Sequence, residues 1–194
     1  ATQTFNNGDT ISGGDGNDLP RVTATSAAAT TVLPTMTGVE GIEATVSGAG
    51  SFTVNMVNST GATRFISQGS TNSLIVDNQS TIADITVQNN TTAASGMVMK
   101  YTAATVAGTT DVQAIALSNN GAQFTAAGTV NVAGVETFNV TSTGINNLTA
   151  LLGDKLETVT VDGSGSFKSN TAFGATLKSY DASASSGAQS VIFG

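Results

Sequence analysis

Three segments, Val135-Glu136-Thr137-Phe138-Asn139-Val140, Leu156-Glu157-Thr158-Val159-Thr160-Val161 and Leu177-Lys178-Ser179-Tyr180-Asp181-Ala182, begin 21 residues apart. That period constrains the fold more than any other feature of the chain. In each unit apolar residues fall at alternate positions, such as Val135, Thr137 or Phe138, and Val140, so one face of a short strand is buried and Thr or Asn lines the other. A rung of this size cannot hide its apolar face alone; stacking on its neighbours does so, and like side chains then pair from coil to coil. A fourth relative, Gly38-Val39-Glu40-Gly41-Ile42-Glu43, shares the opening of Gly134-Val135-Glu136 and hints at two related halves.

Short β-type patches bounded by Gly, Asn, Ser or Asp recur along the chain. The expected strands are 43–47, 51–57, 63–67, 73–77, 84–88, 97–102, 112–118, 129–132, 136–141, 157–161, 177–181 and 190–193. Their starts are often about ten residues apart, so every second patch repeats near twenty, the length of a solenoid coil. The expected fold is all-β: a parallel β-helix or β-roll-like solenoid with short strands. One helical turn is allowed for at 146–155, where Leu148, Leu151 and Leu152 stand at i, i+3 and i+4. Residues 24–34 read as an irregular connector or a plain strand pair.

Composition removes several classes of function. The chain has no cysteine and no histidine, which excludes disulfides, thiolate sites and the usual general base, and no enzymatic activity is expected. With only six Lys and Arg against 13 Asp and Glu, a groove that tracks phosphates cannot be assembled, so nucleic acid is not an expected partner. No window approaches the roughly 18–20 apolar residues of a membrane helix, and membrane insertion is not expected. Ala1 opens a polar segment without a leader pattern, which suits a piece cut from a longer chain.

The segment Asn7-Gly8-Asp9-Thr10-Ile11-Ser12-Gly13-Gly14-Asp15-Gly16-Asn17-Asp18-Leu19 has a different logic. It follows the nonapeptide pattern Gly-Gly-x-Gly-x-Asp-x-apolar-x, with Asp9 and Asp18 nine residues apart. Glycines permit backbone conformations closed to other residues, and Asp and exposed carbonyls supply hard oxygen ligands, so the pattern points to calcium. Pro20 takes the apolar strand position of the second copy, where it cannot donate a ladder hydrogen bond, and the run is expected to stop there. The chain accordingly divides into calcium-binding turns at 1–20 and Thr/Ala/Gly-rich rungs at 21–194.

This glycine-rich turn, the Thr/Ala-rich stretch after it and rungs opening Gly38-Val39-Glu40 or Gly134-Val135-Glu136-Thr137 together resemble a module of RTX-type bacterial surface-layer proteins and adhesins. Motif-level similarity covers residues 7–47 and 134–161. The resemblance implies calcium held by Asp9 and Asp18 carboxylates and Gly14 and Gly16 carbonyls, with Asn7 the counterpart of a glycine and Asp15 an extra ligand. It also implies an extracellular location on the bacterial cell surface, calcium-dependent folding, and self-association into a lattice or a fibre. Any cell-surface polysaccharide would be met through other parts of a full-length protein.

Weaker signals have plainer readings. Glu40 and Glu43 stand at an odd spacing that sends strand residues to opposite faces, so they read as a rung edge or as calcium ligands, not as a glycosidase pair. Asp154 and Asp162 lie beside glycine turns and outside the motif, where an Asp ordinarily bonds backbone. The Asn-x-Ser/Thr triplets headed by Asn58, Asn78, Asn89, Asn90, Asn139 and Asn147 follow from composition. Thr-x-Thr rows such as Thr158-Val159-Thr160 are similar to those of ice-binding solenoids, but Ser, Asn, Asp and Lys interrupt the register. A calcium-stabilised lattice former and an adhesive stalk remain as the two functional expectations, with low charge on long Thr/Ser faces favouring the lattice.

Overall fold

The computed structural model describes residues 5–123 and 125–194, and in them every strand named below runs parallel to its neighbours. After an entry strand β1 (Thr10–Ser12), the chain winds through about eight turns. The first holds β2 (Arg21–Ala24), β3 (Thr30–Val32) and β4 (Thr35–Thr37). Then follow β5 (Gly41–Val46) with β6 (Phe52–Asn55), β7 (Arg64–Gln68) with β8 (Ser73–Gln79), and β9 (Asp84–Gln88) with β10 (Gly96–Tyr101). The last four are β11 (Val112–Asn120) with β12 (Thr129–Val132), β13 (Thr137–Leu148) with β14 (Ala150–Leu152), β15 (Thr158–Asp162) with β16 (Ser166–Ser169), and β17 (Ser179–Asp181) with β18 (Gln189–Ser190). The main side of the solenoid stacks β2-β5-β7-β9-β11-β13-β15-β17, and the second stacks β3-β6-β8-β10-β12-β14. β16 and β18 extend the main sheet along the far end of β13, and β1 pairs with β4 on a third side.

The register bears out the period read from the repeat. Phe138 lies opposite Val159 and Val159 opposite Tyr180, each step 21 residues. Elsewhere on the main sheet the step runs from 20 residues (Arg64 to Asp84) to 30 (Ile85 to Ile115) without disturbing the stack. The surplus leaves the column in the loop after β10. Residues 5–20 are continuous with this column: β1 pairs with β4, and Pro20 O accepts the Glu43 N–H at 3.0 Å.

Alternation does the packing. Ile42, Phe65, Ile85, Ile115, Val140 and Val161 form one interior row on the main side, all essentially inaccessible to water. Phe52, Leu74, Met97, Val130 and Leu151 face them from the second side. Each such side chain contributes about 1.5–3 kcal/mol through burial, and β-branched or aromatic residues suit a pleated surface covered above and below.

The helical turn allowed for at 146–155 does not form. Leu148 closes β13 and Leu151 lies in β14 opposite Val130, both fully buried, while Leu152 is half-buried opposite Asn131. Thr149 and Gly153 disfavour a helix, and pairing with the coil below supplies the hydrogen bonds that a lone turn would have to nucleate alone. Residues 24–34 resolve into the end of β2 and the whole of β3.

At the bend between the two sides a polar file runs up the interior. Asn90 Oδ1 accepts the Ser70 N–H at 2.7 Å, Asn120 Oδ1 accepts the Asn90 N–H at 3.2 Å, and Asn146 Oδ1 accepts both the Asn120 N–H and its Nδ2. Below, Ser70 Oγ accepts the Val46 N–H at 3.0 Å. Asn90, Asn120 and Asn146 are fully buried. The residue before the file is left-handed in three coils, Gly69 (φ 56°), Asn89 (φ 56°) and Asn119 (φ 53°), a conformation that glycine and asparagine tolerate best.

Candidate metal corner

The Gly-Val-Glu segments occupy one corner of the column, immediately before the main sheet. Gly38 has φ 59° and Gly134 φ 82°, Val39 and Val135 point inward and are buried, and each glutamate folds back on the coil below. Glu40 Oε2 accepts the Asp18 N–H at 2.7 Å, while the Glu40 N–H donates to Asp18 O at 3.1 Å. The bond from a backbone N–H orients the carboxylate. Close approach explains the glycines: a Cβ on Gly38 would stand 2.8 Å from Gly14 O, and one on Gly13 would overlap Gly38 O.

The six residues expected to bind calcium fall into two sets separated by β1, on the order of 10 Å of extended chain. On the near side, Asn7 Oδ1 accepts the Leu33 N–H at 2.9 Å and Asp9 Oδ2 accepts the Asn6 N–H at 2.8 Å, so both side chains tie backbone at a bend. On the far side lie Gly14 (φ 87°), Gly16 (φ 129°), exposed Asp15 and half-buried Asp18. Asp18 Oδ2 is withdrawn from solvent and meets no donor. Among the described residues no three acidic side chains gather at one point, so carbonyls and water would have to complete a coordination shell of six to eight oxygens. Asp18 with Glu40, beside the Gly14 and Gly16 backbone, is the part of the predicted set whose chemistry fits a hard cation.

A groove of about 340 Å³ opens next to this corner, lined by Asn17, Glu40, Thr63, Arg64, Ile82 and Asp84. The Arg64 guanidinium donates through Nη2 to Asn17 Oδ1 at 3.3 Å, and its Nε is buried without an acceptor. Arg64 and Asp84 sit opposite each other in β7 and β9. Sequence reading gave neither a role; only their common register position, invisible without the coil period, brings them here.

Glu43, Asp154 and Glu157 have structural partners. Glu43 reaches Arg21 at 3.3 Å on the outer face, apart from Glu40, so the two do not form an acid pair. Asp154 Oδ1 accepts the Gly134 N–H at 2.6 Å, and Glu157 pairs with Lys178 at 2.7 Å. Of the Asn-x-Ser/Thr triplets, those at Asn90 and Asn147 are buried and bonded in the interior. The outer row of the main sheet reads Arg21, Glu43, Ile66, Thr86, Ala116, Thr141, Asp162, without the regular hydroxyl array that ordering ice requires.

Tyr101, at the end of β10, is the most perturbed ionisable group. Its hydroxyl donates to Gln113 Oε1 at 2.5 Å, and Gln113 Nε2 donates to Ala83 O at 2.7 Å. Burial pushes its pKa up to about 12. A phenol held neutral between an amide and a carbonyl is a packing element, not an acid or base near neutral pH.

No helix among the described residues is long and apolar enough to cross a membrane. Compared with protein-family models, with curated proteins and with solved structures, the chain finds no match.

Proposed function

We propose that this chain is a structural segment of an extracellular bacterial surface layer, a rod whose first coil is locked to the rest by calcium and whose sides pack against further copies. The observation that carries the reading is the Asp18–Glu40 corner, where a carboxylate oxygen is withdrawn from solvent without a partner at the seam between the entry coil and the column. A divalent ion there supplies opposite charge to both carboxylates, and the residues that would hold it are Asp18, Glu40, Gly14 and Gly16. The resemblance of residues 7–47 to RTX-type modules supports the same assignment. Dilute cytosolic calcium would leave such a site empty and the end coil loose, and outside the cell the ion would add its binding free energy to folding.

The flanks favour close self-packing. Charged residues are only 10% of the chain, and the outer row of the second side, Thr31, Thr53, Ile75, Val98, Asn131 and Leu152, carries none, so that side can meet another with little charge to desolvate. The shape itself favours a second reading, a stalk that holds an adhesive tip away from the cell. Electron microscopy of the full-length protein with calcium and with chelator separates the two. Ordered sheets that dissolve on chelation support the lattice, isolated rods support the stalk, and an assembly indifferent to calcium removes the metal from either account.

A further inference from the structure

The Asp18–Glu40 arrangement occurs a second time. Glu136 Oε2 accepts the Asp111 N–H at 3.1 Å, as Glu40 Oε2 accepts that of Asp18, and Asp111 Oδ2, like Asp18 Oδ2, is buried without a partner. In each case the glutamate closes a Gly-Val-Glu bend and the aspartate ends a glycine-containing loop one coil below. The loop before Asp18 presses on Gly38; the loop before Asp111 presses on Gly134, where a Cβ would come within 2.6 Å of Val106. Gly108 lies against the Asp111 carboxylate, since a Cβ there would stand 3.3 Å from Oδ2 and 3.4 Å from Oδ1.

Nothing in the nonapeptide motif accounts for this second copy, which lies outside residues 7–19. Glu136 is only 7% exposed, and no Lys or Arg nitrogen comes within 4.0 Å of it or of Asp111 among the described residues. The Asp111 N–H thus holds Glu136 to the coil below, with one Asp111 oxygen withdrawn from solvent and no cation beside either side chain. A desolvated carboxylate oxygen that meets no donor is costly for a fold to hold. At the third Gly-turn-Glu corner Glu157 instead pairs with Lys178 at 2.7 Å on the exposed surface.

We propose that Asp111 and Glu136 form a second divalent-cation site, selective for a hard ion such as calcium, that fastens the loop after β10 to the coil above it. The inference rests on the calcium reading of the Asp18–Glu40 corner for its chemistry, but on its own residues for its location. The ion bridges two successive coils through one carboxylate from each, and backbone oxygens and water complete the shell. It would tie down the longest coil of the solenoid, the one in which stacking alone leaves most chain unpaired.

The test is calcium titration of the 194-residue chain by calorimetry, alongside Asp111→Asn, Glu136→Gln and Asp18→Asn, all close in size to the residues they replace. Two ions per chain are expected, falling to one in each single variant and to none in Asp18→Asn/Asp111→Asn. A single ion lost with Asp18→Asn and retained in Asp111→Asn overturns this inference and leaves the first site standing. The reverse pattern keeps this site and removes the other. Should a variant fail to fold, amide NMR shifts of Thr109, Thr110 and Asp111 in the unaltered chain decide: saturable movement with calcium supports the site, and none refutes it.

Discussion

Asn120 concentrates what holds the interior bend together. Its Oδ1 receives the Asn90 N–H from the coil below, its Nδ2 donates to Val87 O at 2.6 Å and to Asn146 Oδ1 at 2.9 Å, and its own N–H reaches the same Asn146 oxygen. Asn120→Ala removes the three side-chain bonds, keeps only the backbone N–H on Asn146, and strands the buried Asn90 N–H and Val87 carbonyl, so a loss of about 2–4 kcal/mol is expected in equilibrium denaturation. Asn119→Gly, at a left-handed position that glycine adopts freely, is expected to change stability by less than about 1 kcal/mol. Tyr101 makes a pH-dependent contribution of fixed sign. Its folded pKa of about 12 lies above the unfolded value of 10.0, so its contribution is fully present below pH 10 and is lost as pH rises towards 12. Unfolding free energy measured across that window should fall for the parent chain and stay flatter for Tyr101→Phe. Little of this residue-level chemistry was legible in the sequence. Asn90 and Asn120 sit in runs of polar residues indistinguishable by composition from surface turns, and only coil register places them inside.

At the scale of a strand, interior rows carry the stability and bends carry the register. Ile115→Ala leaves a cavity between Ile85 and Val140 and is expected to cost about 2–5 kcal/mol, read from the denaturation midpoint at unchanged slope. Gly96 opens β10 at φ 141°, and a Cβ there would stand 2.1 Å from Thr129 O, so Gly96→Ala should be at least as damaging although it adds only a methyl group. Strands were readable because their signal is local: Asp84–Gln88 and Thr129–Val132 have the bounds that alternation gave them. The Leu148–Leu152 stretch misled because i, i+3, i+4 spacing and two consecutive short strands produce the same apolar pattern, and the deciding factor is a neighbour about twenty residues away. The Asp18 corner was half legible. The glycine motif located Gly14, Gly16 and Asp18, but alternation could not show that Asn7 and Asp9 spend their oxygens on backbone N–H groups, or that Asp111 and Glu136 repeat the arrangement.

For the whole molecule, a column in which each coil touches only its neighbours has stability that sums over interfaces. Local damage should then stay local. Hydrogen exchange of Phe173→Ala is expected to lose protection in β15 to β18 and to keep it in β5 to β9, whereas a globally cooperative globule would lose both. Chelation makes the opposite end the sensitive one. If calcium seals the Asp18 corner, millimolar calcium should raise the melting temperature and protect β1 and β4, and Asp18→Ala should blunt both responses. An identical melting curve in calcium and in chelator would count against the metal.

Parallel winding also decides how the molecule meets force. Traction on the two ends of a parallel coil does not shear all its ladders at once; it peels the outermost lap from the next. A lap of 21 residues, as between β13 and β15, would pay out roughly 70 Å of thread at full extension, then stop at the following rung. Held between two attachments, such a spool would absorb a tug in steps and rewind when the load is gone.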